Sequence, residues 1–296
     1  MANRRVLVKR RKAVRNIRKI TRTMQLIATA RFQAAFNRAV AAKPYTEKLA
    51  ELVQDIARAA GGLEHPLLQE NASPRTALLV LTSDRGLAGG YNAAILRGAL
   101  AHLDAETAAG RQAEVQMVGK KGIGYFRFLR RPMAEQTSGI GDRPSFAVVE
   151  PIADRLMARF TAGEISAAHA AYMRFHSAGV QRPEVLQLLP LAPHQPAPPA
   201  GAAATPGRRR EILYEFHPEP RQLLAELLPA TVRVRLFQAF IDAAVAEQIA
   251  RMVAMKAATE AAGDMITALT RRYNRARQTQ ITMELLDIVG GSNALA

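Results

Sequence analysis

Residues 241–276 read IDAAVAEQIARMVAMKAATEAAGDMITALTRRYNRA, and the spacing within them decides the architecture. The positions Ile241, Ala244, Gln248, Met252, Met255, Thr259, Ala262, Ile266, Leu269, Tyr273 and Ala276 follow one another at steps of three and four. That is the seam of a coiled coil, and Ala244, Ala262 and Ala276 would let two backbones approach closely. After Pro229 no proline follows, and Gly263 is the only glycine before Gly290. A helix over residues 231–289 would be about 88 Å long.

The opposite end repeats the theme. Residues 1–43 hold neither glycine nor proline. Ala13, Ile17, Ile20, Met24, Ile27, Ala34 and Ala35 outline a helical stripe. Pro44 removes one hydrogen bond and is a point for a kink. The period resumes at Leu49, Leu52, Val53 and Ile56, and Gly61-Gly62 is expected to stop it. A helix over 3–58 would be roughly 84 Å long, far beyond the usual, and needs a helix along its flank. The two matching lengths predict one antiparallel pair formed by the chain ends.

The 296 residues carry a net charge of +16, which points to an anionic partner. Thirteen Lys or Arg precede the first carboxylate, Glu47, so the basic character is largely that of the first helix. An acid-free, Arg-rich start also fits a transit peptide, but no Ser precedes Ser73 and the helical pattern shows no processing boundary. Cysteine is absent, which excludes disulfides and thiolate metal sites. No stretch reaches the ~20 apolar residues that span a bilayer.

Between the helices lies an α/β pattern. Thr76–Thr82, Val115–Val118, 133–137, Ala167–Phe175 and Val185–Leu189 read as strands. Residues 87–105, Lys121–Leu129 and 148–162 read as helices. The alternation predicts an open, parallel-type sheet. Residues 192–207 (APHQPAPPAGAAATPG) read as a low-complexity Pro/Ala loop, followed by Arg208–Arg210. The domains are therefore expected at 1–60 (helix), 74–191 (α/β), 192–210 (loop) and 211–296, with a long helix from about 231.

Catalytic chemistry is not found. The loop from Ser83 to Asn92 follows a strand and opens a helix, where α/β proteins cradle phosphates, yet it lacks the Lys-Ser/Thr ending and the G-x-G-x-x-G spacing. Gly122-Ile123-Gly124 lacks a third glycine. The structural alternative is a tight turn, with Asp84 as a cap and Gly86, Gly89 and Gly90 permitting close packing beside Arg85. The six His are scattered without metal-ligand spacing, and no Gly-x-Ser-x-Gly elbow occurs. Neither a cofactor nor a metal site is expected, and Met24, Met252, Met255 and Met265 read as packing material.

Five stretches carry a specific resemblance. Residues 19–32 (KITRTMQLIATARF) and Lys43-Pro44-Tyr45 resemble the N-terminal helix of the γ subunit of F-type ATP synthases. Residues 82–92 are similar to that family's S-D-R-G-L-C-G-G-[FY]-N loop, with Ala88 in place of the usual Cys. Residues 251–264 and 273–291 resemble its C-terminal helix and terminal signature, with Ser292 where Ala is usual and Ala246-Glu247-Gln248 a variant of the usual Ser-Glu pair. The resemblance implies an antiparallel coiled coil of the terminal helices with a central Rossmann-like α/β domain. It implies a non-catalytic central shaft inside a ring of α and β subunits, meeting the ε subunit and the c-ring, on the cytoplasmic side of a bacterial cell membrane. It also implies site roles: Met24, with Lys19 and Arg22, faces an acidic β-subunit loop. Arg251 and Gln278 hydrogen-bond a β-subunit loop, and Arg277, Thr282 and Glu284 adjoin that contact.

Two other readings stay open on the residues alone. A basic coiled coil would neutralise several phosphates of a nucleic acid, though no recognition motif or stacking platform is present. A nucleotide-dependent enzyme would use the 82–92 loop. For every charged site residue the plain alternative is a solvated helix face.

Overall fold

The computed structural model describes residues 4–59, 65–191 and 219–295. The Pro/Ala loop expected at 192–210 and the helix stop expected at Gly61-Gly62 lie outside the described residues. Helix α1 runs Arg4–Ala59 and helix α5 runs Pro220–Leu295. Between them come β1 (Arg75–Leu81), α2 (Tyr91–Ala108), β2 (Gln112–Val118), α3 (Lys120–Phe128), β3 (Glu135–Thr137), α4 (Phe146–Thr161), β4 (Ala167–Ser177) and β5 (Val180–Leu189). The chain divides into two compact units: Met1–Arg31 with Leu87–Gly89 and Gln248–Ala296, and Phe32–Gly86 with Gly90–Glu247.

The larger unit is built on a five-stranded sheet of order β3-β2-β1-β4-β5. β1 through β4 are parallel, as the strand–helix alternation predicts. β5 departs from it: it pairs antiparallel with β4, Tyr172 opposite Glu184. The physical reason is the connection, since Ala178-Gly179 is long enough for a hairpin and far too short for a crossover. Pro183 sits in β5, which is an edge strand, where a missing N–H is tolerated.

Both faces of this sheet are covered. On one, Ile95, Leu96, Ala99 and Leu103 of α2 are buried, as is Phe126 of α3. On the other, Val149, Ile152, Leu156 and Phe160 of α4 join Leu79, Ala170 and Leu188 in one cluster. The start of α5 completes that cluster through Leu224, Leu228, Val232 and Leu236, a stripe at steps of four. This stripe explains where α5 begins. Pro220 takes the first helical position, where no N–H is needed, and burial of the stripe carries the helix through Pro229. The helix thus starts well before residue 231, where the sequence pattern places it. Arg233 joins α5 to α4, with Nε 2.7 Å from Asp154 Oδ1.

α2 starts at Tyr91, not at 87. Leu87 and Gly89 have φ of 64° and 55°, a left-handed backbone that no helix contains.

Candidate partner-binding surface of the terminal helices

The smaller unit contains residues 4–31 of α1 and residues 248–295 of α5. Their contacts run in opposite directions. The Arg11 guanidinium lies 4.9 Å from the centre of the Tyr273 ring. A Cβ on Gly263 would sit 3.8 Å from the Arg18 guanidinium. The Thr259 hydroxyl donates to Thr21 Oγ1 at 2.8 Å, and Thr21 donates onward to the Arg18 carbonyl at 3.1 Å. Rising numbers on α1 thus meet falling numbers on α5, and the pair is antiparallel.

The α5 side of the seam is the one its spacing predicts. Gln248, Met255, Thr259, Ala262 and Leu269 are buried, and Met252, Ile266, Tyr273 and Ala276 half-buried. On α1 the predicted stripe holds at Ala35, which is buried, and at Met24 and Ala34, which are half-buried, and is corrected elsewhere. Ala13 is exposed, Ile17 and Ile20 are 52% and 59% exposed, and Ile27 also faces out. The seam instead runs through Leu7, Val14, Thr21 and Ala28, at intervals of seven. Small side chains let the backbones close up, so the seam selected Thr21 and Ala28 and left the bulkier isoleucines outside. The heptad Leu7-Val14-Thr21-Ala28 is visible in the sequence, but its polar and small members hide it beside a more hydrophobic row.

Beyond Ala276 everything described on α5 to Gly290 is exposed, including Ile281, Leu285 and Ile288. Tyr273 already lies opposite Arg11, and α1 starts at Arg4. From about residue 280 the helix therefore has no described α1 residue beside it. Ile281, Leu285 and Ile288 recur at steps of four and three, so they share one face. A row of this kind on a lone helix marks a surface made to be covered.

In the larger unit, the loops after β1, β2 and β3 are tied together. Asp84 Oδ1 accepts from Lys120 N at 3.1 Å, and Oδ2 accepts from Gly139 N at 2.9 Å. Asp84 therefore caps α3, and not α2, whose N-cap is Gly90 with no side-chain cap. Thr82 Oγ1 accepts from Gly122 N at 3.0 Å and donates to the Val118 carbonyl at 2.7 Å. Gly119, at φ 97°, packs so closely that a Cβ would lie 2.1 Å from the Thr82 carbonyl oxygen. Amides that could cradle a phosphate, those of Lys120 and Gly139, are occupied by a carboxylate of the protein itself. Among the described residues no group of three or more His, Asp or Glu is placed to hold a metal ion. No described helix is long and apolar enough to cross a membrane.

The family described as ATP synthase matches residues 3–295. A relative from Rhodopirellula baltica, named ATP synthase gamma chain, is 43% identical over 296 residues, covering all of this chain and 99% of its own. One of the same name from Frankia casuarinae is 39% identical, covering 97% of this chain and 96% of its own. The chain belongs to the ATP synthase gamma-chain family. The fold agrees with a mitochondrial ATP synthase structure from Euglena gracilis (OSCP, F1 and c-ring), at TM-score 0.64 and 15% identity, covering 99% of this chain and 94% of that one.

Against this family, the site residues fall into three groups. Lys19 and Arg22 of α1 are exposed, and Met24 is half-buried at the margin of the seam, three residues after Thr21. Arg277, Gln278, Thr282 and Glu284 are exposed on the end of α5. There the Thr282 hydroxyl donates to the Gln278 carbonyl at 3.0 Å, and Gln280 donates to Glu284 at 2.8 Å. Arg251 stands apart: it is 7% exposed and lies on the seam side of α5, one turn before Met255. The structure thus groups seven of the eight on accessible helix and withdraws the eighth into the pair. In the loop, Asp84 is the latch just described, Arg85 is exposed, and Gly90 is the N-cap of α2. Gly86 stands against the Lys121 side chain, and Gly89, which belongs to the smaller unit, faces Ala254 of that same unit.

Proposed function

We infer that the chain is the central stalk subunit of an F-type ATP synthase. It turns with a c-ring driven by ion flow and carries that rotation to catalytic α and β subunits. ε and the c-ring are its further partners, and its place is the cytoplasmic face of a bacterial cell membrane, held there through the complex. It contributes no catalytic residue. The observation that carries this reading is the family match over residues 3–295, on a chain whose paired terminal helices leave Ile17, Ile20, Ile27, Lys19 and Arg22 facing outward.

The mechanics follow from that surface. Each catalytic site takes a nucleotide affinity that depends on which face of the shaft it meets. Rotor angle and nucleotide occupancy are therefore linked by one coupling free energy, and the linkage is reciprocal, so hydrolysis drives the shaft backwards. Lys19 and Arg22 attract acidic loops of the surrounding subunits. Screening over ~8 Å at physiological salt confines that attraction to near contacts, which suits a part that must leave each partner. Met24 meets the same loop, Arg277, Gln278, Thr282 and Glu284 meet the ring at the end of α5, and Ile281, Leu285 and Ile288 seat in an apolar sleeve. Arg251 sets the helix pair from within; a hydrogen bond from it to the ring requires its side chain to leave the seam. A nucleic-acid reading has no observation in its favour.

The test is reconstitution with α and β subunits and observation of a probe on the chain. ATP-driven rotation of the assembly, with no ATPase activity in the chain alone, is expected; a chain that never enters the ring would overturn the reading. Met24→Lys adds a cation at the loop contact. Ion pumping is expected to fall several-fold more than hydrolysis, measured side by side in vesicles, whereas a proportional fall would make the contact merely structural.

A further inference from the structure

Helix α3 carries a surface that the sheet does not use. Phe126 is fully buried and Gly122 is pressed onto Thr82 and Met117, where a Cβ would lie 2.3 Å from the Met117 sulfur. These two residues fix which side of α3 faces inward. The opposite side presents Lys121, Tyr125 and Phe128, and Phe128 is 81% exposed. Leu129 is exposed beside it. Lys120, Lys121, Arg127, Arg130 and Arg131 surround these apolar groups, and no carboxylate occurs in the sequence from Gly119 to Ala134. Within the chain, Arg127 donates to Gln136 at 2.6 Å, and Arg131 lies 3.5 Å from the exposed Asp104.

The end of the helix adds an independent observation. Arg131 N donates to the Phe126 carbonyl and Arg130 N to the Arg127 carbonyl, each at 3.0 Å. This is a Schellman ending, and Arg130 occupies its left-handed position at φ 53°. Glycine is the residue that position favours, and arginine there is strained. Strain of that kind persists where the side chain has a task. The guanidinium of Arg130 is the feature gained.

We propose that α3 and its C-terminal turn, from Lys120 to Arg131, form a docking surface for an acidic segment of a partner protein that receives Phe128 in an apolar socket. Charge complementarity sets the sign of the partner, and the protruding ring sets its shape. A nucleic-acid backbone offers the charge but no socket for three clustered apolar side chains. A lipid surface is recognised by longer amphipathic helices with a continuous apolar face, whereas α3 spans nine residues and spends Phe126 on the protein core. A protein surface supplies both features at this scale.

The test places p-benzoylphenylalanine at position 128 of the full chain in its own cells, with the same photoprobe at the exposed Val180 as control. Irradiation is followed by purification through a tag on this chain and by mapping of the adduct. The expected product is an adduct on one protein segment rich in Asp and Glu. It should weaken about tenfold in Arg130→Glu and return when a carboxylate of that segment is changed to lysine. Arg130→Gly suits the left-handed backbone, so a weakened adduct in that variant reports the lost cation and not unfolding. An adduct on lipid or nucleic acid overturns the proposal. So does one on a segment without carboxylates, one indifferent to both substitutions, or a yield no higher than at Val180.

Discussion

The two units of this chain are held by different physics. In the larger, Leu78, Ile95, Phe126, Leu156, Leu188 and Leu228 are all but sealed from solvent, and helices cover both faces of a sheet. In the smaller, two helices share a narrow seam made of Thr21, Ala28, Gln248, Met255, Thr259 and Ala262, while Ile17, Ile20 and Ile27 face outward. The first arrangement maximises burial within the chain, at roughly 25 cal/mol for each Å² of apolar surface. The second withholds apolar surface from the chain itself. A globular unit keeps its hydrophobic groups for its own stability; a helix pair that must be gripped by others leaves them out.

The largest expected break in this contrast is Gly119→Ala. The new methyl meets the Thr82 carbonyl, and the φ of 97° disfavours any side chain. A loss of more than about 3 kcal/mol is expected in urea unfolding of the larger unit. The helical signal of the terminal pair should persist past that transition if the units melt separately.

A smaller effect concerns pH, again in the larger unit. Burial lowers His169 to about 4 from 6.5, with His102, Glu106 and Arg111 as its charged neighbours. Unfolded chain binds the proton more readily there, so this stability contribution is lost as pH falls from 6.5 to 4. Burial raises Asp242 from 3.8 to about 6, against Gln238, Arg174 and the Phe175 amide. Here the folded state holds the proton more tightly, so stability is lost as pH rises through the same interval. The two slopes oppose each other, so this pair together should contribute a nearly flat profile. Asp242→Asn should make stability climb by on the order of 2 kcal/mol between pH 4 and 6.5, and His169→Gln should make it decline comparably. Thermal melts across that range measure both.

In the smaller unit, replacing both Thr21 and Thr259 by valine removes a buried hydroxyl pair together. The cost should be about 1 kcal/mol or less, because neither partner is left unsatisfied. Register should suffer more than stability, since a single polar contact in a seam discriminates against slipped pairings. A disulfide placed by Arg11→Cys with Tyr273→Cys should form in lower yield in that background. The smallest stability change belongs to Ile281→Ser with Leu285→Ser and Ile288→Ser. Melting of the chain alone should move within about 0.5 kcal/mol, while ATP-driven rotation in the reconstituted complex should drop sharply. A large stability change would mean that this row packs within the chain.

The same contrast explains what was legible in the sequence. The buried strands of the larger unit announce themselves as short apolar runs, and α5 shows its seam because Met255, Ala262 and Leu269 are apolar and face inward. Hydrophobic periodicity reads well where apolar residues are inside. On α1 it misleads, because Ile17, Ile20 and Ile27 face outward and the true seam contains Thr21. The start of α5 was hidden by Pro229, whose helix-breaking tendency is outweighed by the Leu224–Leu236 stripe. Asp84 was readable as a cap but not as the cap of α3, since that helix begins 36 residues further on. The antiparallel β5 depended on a hairpin at Ala178-Gly179 with no strong turn signature. Of the site residues, exposure of Lys19, Arg22 and Gln278 follows from their polarity. Arg251 had no signal to place it inward, because charge alone argues for the surface.

The uncovered end of α5 bears on how the cell must handle this subunit. Ile281, Leu285 and Ile288 line one side of a helix with nothing described beside it. Until a partner encloses that row, it is adhesive toward other copies of the chain and toward chaperones, and the exposed backbone around it is open to proteases. An orphaned copy is thus a short-lived one. Synthesis in step with the surrounding ring becomes a requirement of the sequence itself, and surplus copies carry, in their last turns, the mark for their own removal.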